Sequence, residues 1–201
     1  MVSVEFLFDV GSPNAYFAHR VIPDIERRTG VTFAYVPVLL GGIFKLTGNR
    51  SPVETFGHIK NKRAFMELEM QRFMRRHRVP FRFNPHFPVN TLHLMRAATA
   101  AQMDGGLAPY VEAVFHHMWE EPKKMDDPAV ARAALMASGI DADRLFARAQ
   151  EADVKARLME ATQDAVDRGA FGSPTFFVGR EMFFGKDQLR DVEDEIIAQK
   201  A

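Results

Sequence analysis

The chain has no cysteine among its 201 residues. That excludes disulfide frameworks, thiol redox chemistry, cysteine nucleophiles and thiolate-ligated metals, so any sulfur chemistry requires a thiol brought in from outside. It has no surplus of either charge. Its 26 lysines and arginines balance its 26 aspartates and glutamates, which disfavours nucleic acid or an anionic membrane as the main partner. No apolar run reaches the roughly 18 residues that read as a membrane span. Glu5 and Asp9 flank only a short apolar run near the N-terminus. That is unlike a secretory leader, and a cytoplasmic protein is expected. Internal repeats and low-complexity segments are missing too.

What is present centres on Phe6-Leu7-Phe8-Asp9-Val10-Gly11-Ser12-Pro13-Asn14-Ala15-Tyr16. An apolar strand runs into a Gly-Ser-Pro turn from which a helix starts, with Ser12 suited to the N-cap and Pro13 to the first helical position. Free backbone N–H groups and the positive end of the helix dipole face whatever lies above such a turn, where anions and thiolates are stabilised. A plain helix cap accounts for Ser12 equally well from this stretch alone. A second stretch far downstream, Phe171-Gly172-Ser173-Pro174-Thr175-Phe176-Phe177-Val178, shifts the balance toward a site.

Residues 2–8 read as a strand, the Ser12-Pro13 helix stops at Gly30, and residues 31–36 read as a second strand, making a β-α-β unit with a parallel pair. Leu39-Leu40-Gly41-Gly42 leads into a breaker-rich loop at residues 47–52. A long helix from about Ile59 to Arg78 carries Met66, Met70, Phe73 and Met74 on one face and a basic end. Phe81-Arg82-Phe83 reads as extended. Helices follow at about 91–104, 108–119, 128–138 and 153–168, with a helical turn at 142–148. Then the β pattern resumes at 175–178 and 182–184, and a last helix holds Leu189, Val192, Ile196 and Ile197. Residues 1–38 and 170–201 therefore form the halves of one discontinuous α/β domain, and 39–169 an inserted helical domain.

This order, with a Ser-Pro before the third strand, resembles the thioredoxin fold, and the helical insertion resembles its DsbA-like and kappa-class glutathione transferase branch. Ser12-Pro13-Asn14-Ala15 stands where redox members carry Cys-x-x-Cys. The Gly48-Asn49-Arg50-Ser51-Pro52 loop, Lys62 and the run from Asn84 to Thr91 are most similar to the 2-hydroxychromene-2-carboxylate isomerases. The resemblance implies a glutathione-dependent enzyme, a homodimer, in which Ser12 stabilises the glutathione thiolate, and a small aromatic substrate from ring breakdown. It further implies a cis Pro174, with the backbone of Ser173 beside the cysteinyl part of glutathione. Asn49 and Lys62 would hold glutathione, Lys62 at its glycyl carboxylate, and Asp187 would take the γ-glutamyl ammonium. Lys186 departs from the serine usual before that aspartate in related transferases. A kappa-like transferase that keeps the sulfur on the product is the first rival, and a non-catalytic thioredoxin-fold binding module is the second.

Other features have plainer readings. His116-His117 with Glu120-Glu121 lacks the spacing of a helical zinc motif, and no metal is expected. The methionine stripe reads as core or interface packing. Phe87, Asn90 and Phe171 suit the walls of a flat aromatic pocket or ordinary packing.

Overall fold

The computed structural model describes residues 2–200. The chain begins with β1 (Val4–Phe8), α1 (Pro13–Thr29) and β2 (Phe33–Pro37). A helical block follows: α2 (Leu40–Thr47), α3 (Pro52–Phe56), α4 (Lys60–His77), α5 (Leu92–Asp104), α6 (Leu107–Trp119), α7 (Pro128–Ala137), α8 (Ala142–Arg148) and α9 (Ala152–Asp167). It closes with β3 (Thr175–Val178), β4 (Glu181–Phe184), a 3-10 turn at Lys186–Gln188 and α10 (Leu189–Lys200). This is the β-α-β, helical, β-β-α order expected of a thioredoxin-like fold.

The four strands lie in the order β2-β1-β3-β4. β1 runs parallel to β2, with Phe6 opposite Tyr35, and antiparallel to β3, with Phe6 opposite Phe176. β3 and β4 form a hairpin around Gly179, whose φ of 59° suits a residue without a Cβ. The central strand β1 is apolar on both faces because helices cover both. Phe6 and Phe8 point into the larger core with Tyr16, Phe115, Phe176 and Ile196, while Leu7 joins Ile43, Ala165 and Phe177 on the other face. Alternation along a strand produces this division.

The structure differs from the sequence reading between residues 39 and 56. The stretch that begins at Leu40-Gly41-Gly42 is the helix α2, which runs to Thr47, and a short α3 begins at Pro52, where the expected loop ends. Of the two glycines in α2, Gly42 permits close packing. A Cβ on Gly42 would come within 3.1 Å of Thr162 Cγ2 on α9. Gly48, at φ 70°, is where α2 ends. Phe81-Arg82-Phe83 belongs to no helix or sheet, and the Arg82 N–H donates to the carbonyl of Trp119. Met70, Phe73 and Met74 pack on the core as expected of the methionine stripe, with Met66 half-buried.

Among the described residues no helix is long and apolar enough to cross a membrane.

Candidate active site at the first helix N-terminus

Ser12 caps α1: its Oγ accepts a hydrogen bond from the Ala15 N–H at 3.2 Å, and Pro13 opens the helix. The same hydroxyl donates to the carbonyl oxygen of Ser173 at 2.9 Å. The Ser173-Pro174 peptide is cis, as the resemblance implies. So is Phe87-Pro88, where no cis bond was expected. The Ser173 hydroxyl in turn accepts from the Asp9 N–H at 3.1 Å. The two Ser-Pro turns, 161 residues apart, are thus laced together at the end of β1.

Asp9 is the residue that sequence reasoning passed over. Its carboxylate is fully buried and accepts from three directions: the Gly11 N–H at 2.9 Å, the Leu40 N–H at 2.8 Å and the Thr91 hydroxyl at 3.1 Å. It therefore ties the Ser12 turn to the starts of α2 and α5. Burial pushes its pKa above the ordinary carboxylate value, while the bonds from Gly11, Leu40 and Thr91 pull the other way. Gly11 is required here because a Cβ would sit 2.9 Å from Thr91 Cγ2. An aspartate closing an apolar strand just before a Gly-Ser-Pro turn was the available signal.

Asn49 is exposed, yet its amide Nδ2 donates to the carbonyl of Phe171 at 2.8 Å, two residues before Ser173. The Pro174 carbonyl accepts from the Gly185 N–H at 2.9 Å, which sets the 3-10 turn carrying Asp187 against the Ser-Pro turn. Hydrogen bonds therefore connect Ser12, Ser173, Pro174, Asn49 and the Asp187 turn. Asp187 itself is 60% exposed, with Oδ1 at 2.6 Å from Lys186 Nζ. Lys62 lies in the first turn of α4, exposed, its ammonium 3.0 Å from the centre of the Phe56 ring. It makes no direct contact with Ser12.

Phe171 and Phe87, read as aromatic walls or as ordinary packing, both make packing contacts with other rings. Phe171 packs at a 42° tilt against Phe184 with ring centres 4.4 Å apart, and both are exposed. Phe87 packs against Trp119, whose indole N–H donates to the Val10 carbonyl at 2.9 Å. Asn90 uses its side-chain oxygen to accept the Leu92 N–H at the start of α5. It also lines a cleft of about 320 Å³ with His93 and Arg96, which Ser12 does not line.

The histidine cluster comes closer together than its spacing suggested, since ligand atoms of His116, His117 and Glu121 lie within 4.8 Å of one another. Both ring nitrogens of His117 are already engaged, Nδ1 by the Lys123 ammonium at 2.8 Å and Nε2 by the Ser138 hydroxyl at 2.9 Å. Burial first, and then the Lys123 charge, lower the His117 pKa. A cation would have to displace Lys123.

A family model described as a DSBA-like thioredoxin domain matches residues 3–197. The 2-hydroxychromene-2-carboxylate isomerase of Sphingobium xenophagum is 27% identical over 97% of this chain and 98% of its own. The human protein called glutathione S-transferase kappa 1 is 24% identical over 93% of this chain and 87% of its own. A solved structure of a 2-hydroxychromene-2-carboxylate isomerase superposes over 98% of this chain and 95% of that one, with a TM-score of 0.83 at 25% identity. A probable DsbA oxidoreductase from Streptomyces coelicolor shares the fold, with a TM-score of 0.72 at 15% identity. With its sheet order, its cis Ser-Pro turn and a match running almost from end to end, the chain belongs to the DSBA-like thioredoxin domain family.

Proposed function

We propose that this protein is a glutathione-dependent isomerase acting on 2-hydroxychromene-2-carboxylate or a similar aromatic-degradation intermediate. The observation that carries the proposal is the Ser12 hydroxyl, held at the N-terminus of α1 within 2.9 Å of the Ser173 carbonyl, in a chain without cysteine. The isomerase relatives support the reaction type. The donor set suits a zwitterionic tripeptide: the Lys62 ammonium for a carboxylate, the Asp187 carboxylate for an ammonium, and a hydroxyl at a helix N-terminus for a thiol.

In this reading the exposed Asn49 and Lys62 hold the glycyl end of glutathione, the cis Ser173-Pro174 segment lies beside its cysteinyl part, and Asp187 receives the γ-glutamyl ammonium. When bound, glutathione supplies a thiolate that adds reversibly to a conjugated carbon, so that the substrate can rotate about a single bond before the sulfur leaves. Ser12 acts as a donor, not as a nucleophile. Its proton, now directed at the Ser173 carbonyl, turns toward the sulfur, and the α1 dipole adds to the stabilisation of negative charge there. Ser12 has no histidine partner to take its proton, which disfavours covalent serine chemistry. Phe171, Phe184 and Phe87 offer flat apolar surface for an aromatic ring.

The kappa-class relatives keep a transferase alive as the second reading. The two part at the product: an isomerase returns glutathione, whereas a transferase leaves it attached. A homodimer is part of the proposal, and exposed Leu46, Val53, Ile59, Phe65 and Leu68 on α2–α4 and the loop between α3 and α4 support it as apolar surface in want of a cover.

The test is calorimetry with reduced glutathione, followed by turnover of 2-hydroxychromene-2-carboxylate with and without it. Saturable binding and glutathione-dependent isomerisation are expected. Binding with a stable conjugate would favour the transferase, and absence of binding at millimolar glutathione would overturn both readings.

A further inference from the structure

Lys186 is the most deeply buried cation of the site region, with only 2% of its side chain exposed. A charge in that position is costly unless its donors are all taken. They are: the ammonium lies 3.0 Å from each oxygen of Glu69 and 2.6 Å from Asp187 Oδ1, and 4.9 Å from the centre of the Phe73 ring. Glu69 comes from α4, and Asp187 from the turn that hydrogen-bonds to the cis Ser-Pro segment through Gly185.

The segment that Lys186 grips is loosely held otherwise. Among the described residues, the Lys186–Glu69 contact is the only side-chain hydrogen bond or ion pair from residues 51–77 to the rest of the chain. Phe73 is the one buried side chain of α4. It packs on Phe17 near the helix C-terminal end, with ring centres 5.3 Å apart. The N-terminal half of α4 projects beyond this anchor. Lys62, Met66, Glu69 and Phe73 follow a 4-3-4 spacing and so share one face. Lys62 therefore lies on the gripped face, two turns (~10 Å at 1.5 Å per residue) before Glu69.

We propose that Lys186 is a positioning residue: through Glu69 and Asp187 it sets α4, and with it Lys62, at a fixed distance from the Asp187 turn, so that the two charged ends of the binding site are spaced for one ligand with a carboxylate and an ammonium at opposite ends. The identity of that ligand rests on the glutathione proposal. The strap itself does not. One ammonium shared by two carboxylates leaves a net negative charge at Glu69 and Asp187. Both remain partly open to solvent, and Arg76 and Arg190 line the same cleft as Asp187.

The test has two arms on the full chain. In the first, amide hydrogen exchange is followed without ligand in wild type, Lys186→Met, Glu69→Gln and the double variant. Exchange in the N-terminal half of α4 should rise by about tenfold or more in each single variant while β1 and β3 stay protected, and the double variant should add nothing further. Glu69→Gln removes the charge and one of the two acceptor oxygens, leaves Lys186 paired with Asp187, and guards against a lysine variant that fails to fold. Unchanged exchange in α4, or effects that simply add, would overturn the proposal.

In the second arm, glutathione affinity is measured for Lys62→Ala, Lys186→Met and their combination. Lys186→Met should weaken binding by roughly tenfold, and most of the Lys62→Ala penalty should disappear in its background. Additive penalties would overturn the positioning role while leaving the glutathione proposal standing. If wild type binds no glutathione, that proposal fails, and the exchange arm alone decides the strap.

Discussion

The Ser12 hydroxyl gives its proton to the Ser173 carbonyl at 2.9 Å while its oxygen accepts the Ala15 N–H at 3.2 Å. One side chain thus caps α1 and ties it to the cis-proline turn that precedes β3. Because it does both, loss of the hydroxyl has a structural and a chemical consequence that must be separated by experiment.

Ser12→Ala removes the cap and should cost ~0.5–2 kcal/mol of stability, read from the urea midpoint. On the proposed function it should also raise the pKa of bound glutathione and cut turnover while affinity is largely kept through Lys62 and Asp187. The ultraviolet thiolate band of bound glutathione, titrated in both proteins, reports this. Coincident titrations with unaltered turnover would leave Ser12 as a cap alone.

Asp9 makes stability depend on pH with a definite sign. Its folded pKa is raised above the ordinary value of 3.8, so between the two the native state binds more protons than the unfolded chain. Its contribution is therefore greatest below that window and falls as pH rises through it. Asp9→Asn places an amide NH2 against donors from Gly11, Leu40 and Thr91, which should cost ~1–3 kcal/mol. Urea midpoints from pH 3 to pH 8 should show the wild-type advantage over Asp9→Asn shrinking with pH. An advantage that does not shrink would mean that the three donors outweigh burial.

Gly11→Ala should destabilise by ~1–3 kcal/mol, because the new methyl meets Thr91 Cγ2 at 2.9 Å in a buried turn. Thr91→Ser deletes that Cγ2 and keeps the hydroxyl that Asp9 accepts. The double variant should therefore lose less than the sum of the two single changes. Strict additivity would locate the strain in the Gly11 backbone rather than at Thr91.

Asp187→Ala should cost less in stability than in affinity, since its carboxylate is 60% exposed and the buried Lys186 ammonium, though it loses one acceptor, keeps both oxygens of Glu69. Glutathione affinity should fall by at least tenfold, about 1.4 kcal/mol. Calorimetry and thermal unfolding on the same variant check the pair. Equal losses would make Asp187 part of the scaffold.

The strands and the long helices were legible because their signals are local. Alternating Phe6 and Phe8, the cap and proline at Ser12-Pro13, and stops such as Gly30 and Gly105 act within one turn of chain. The Ser12 and Ser173-Pro174 turns could be paired in advance only through the resemblance to the thioredoxin fold, since Ser-Pro also occurs at Ser51-Pro52. α2 was not legible. Its two glycines weaken helix propensity, and the compensation comes from a close approach to Thr162 more than a hundred residues away.

By itself the sequence determined which chemistry is available: no thiol of its own, a capped helix at Ser12, and a set of polar residues of both charges. Tertiary structure decided which of these groups meet. The Asp9 carboxylate is ordinary until Gly11, Leu40 and Thr91 converge on it from three elements. Lys186 is one lysine among many until burial obliges it to find two carboxylates, one of them on a helix 117 residues away. Burial and long-range hydrogen bonding have no local signature, because their energy depends on what the rest of the chain brings to the same point.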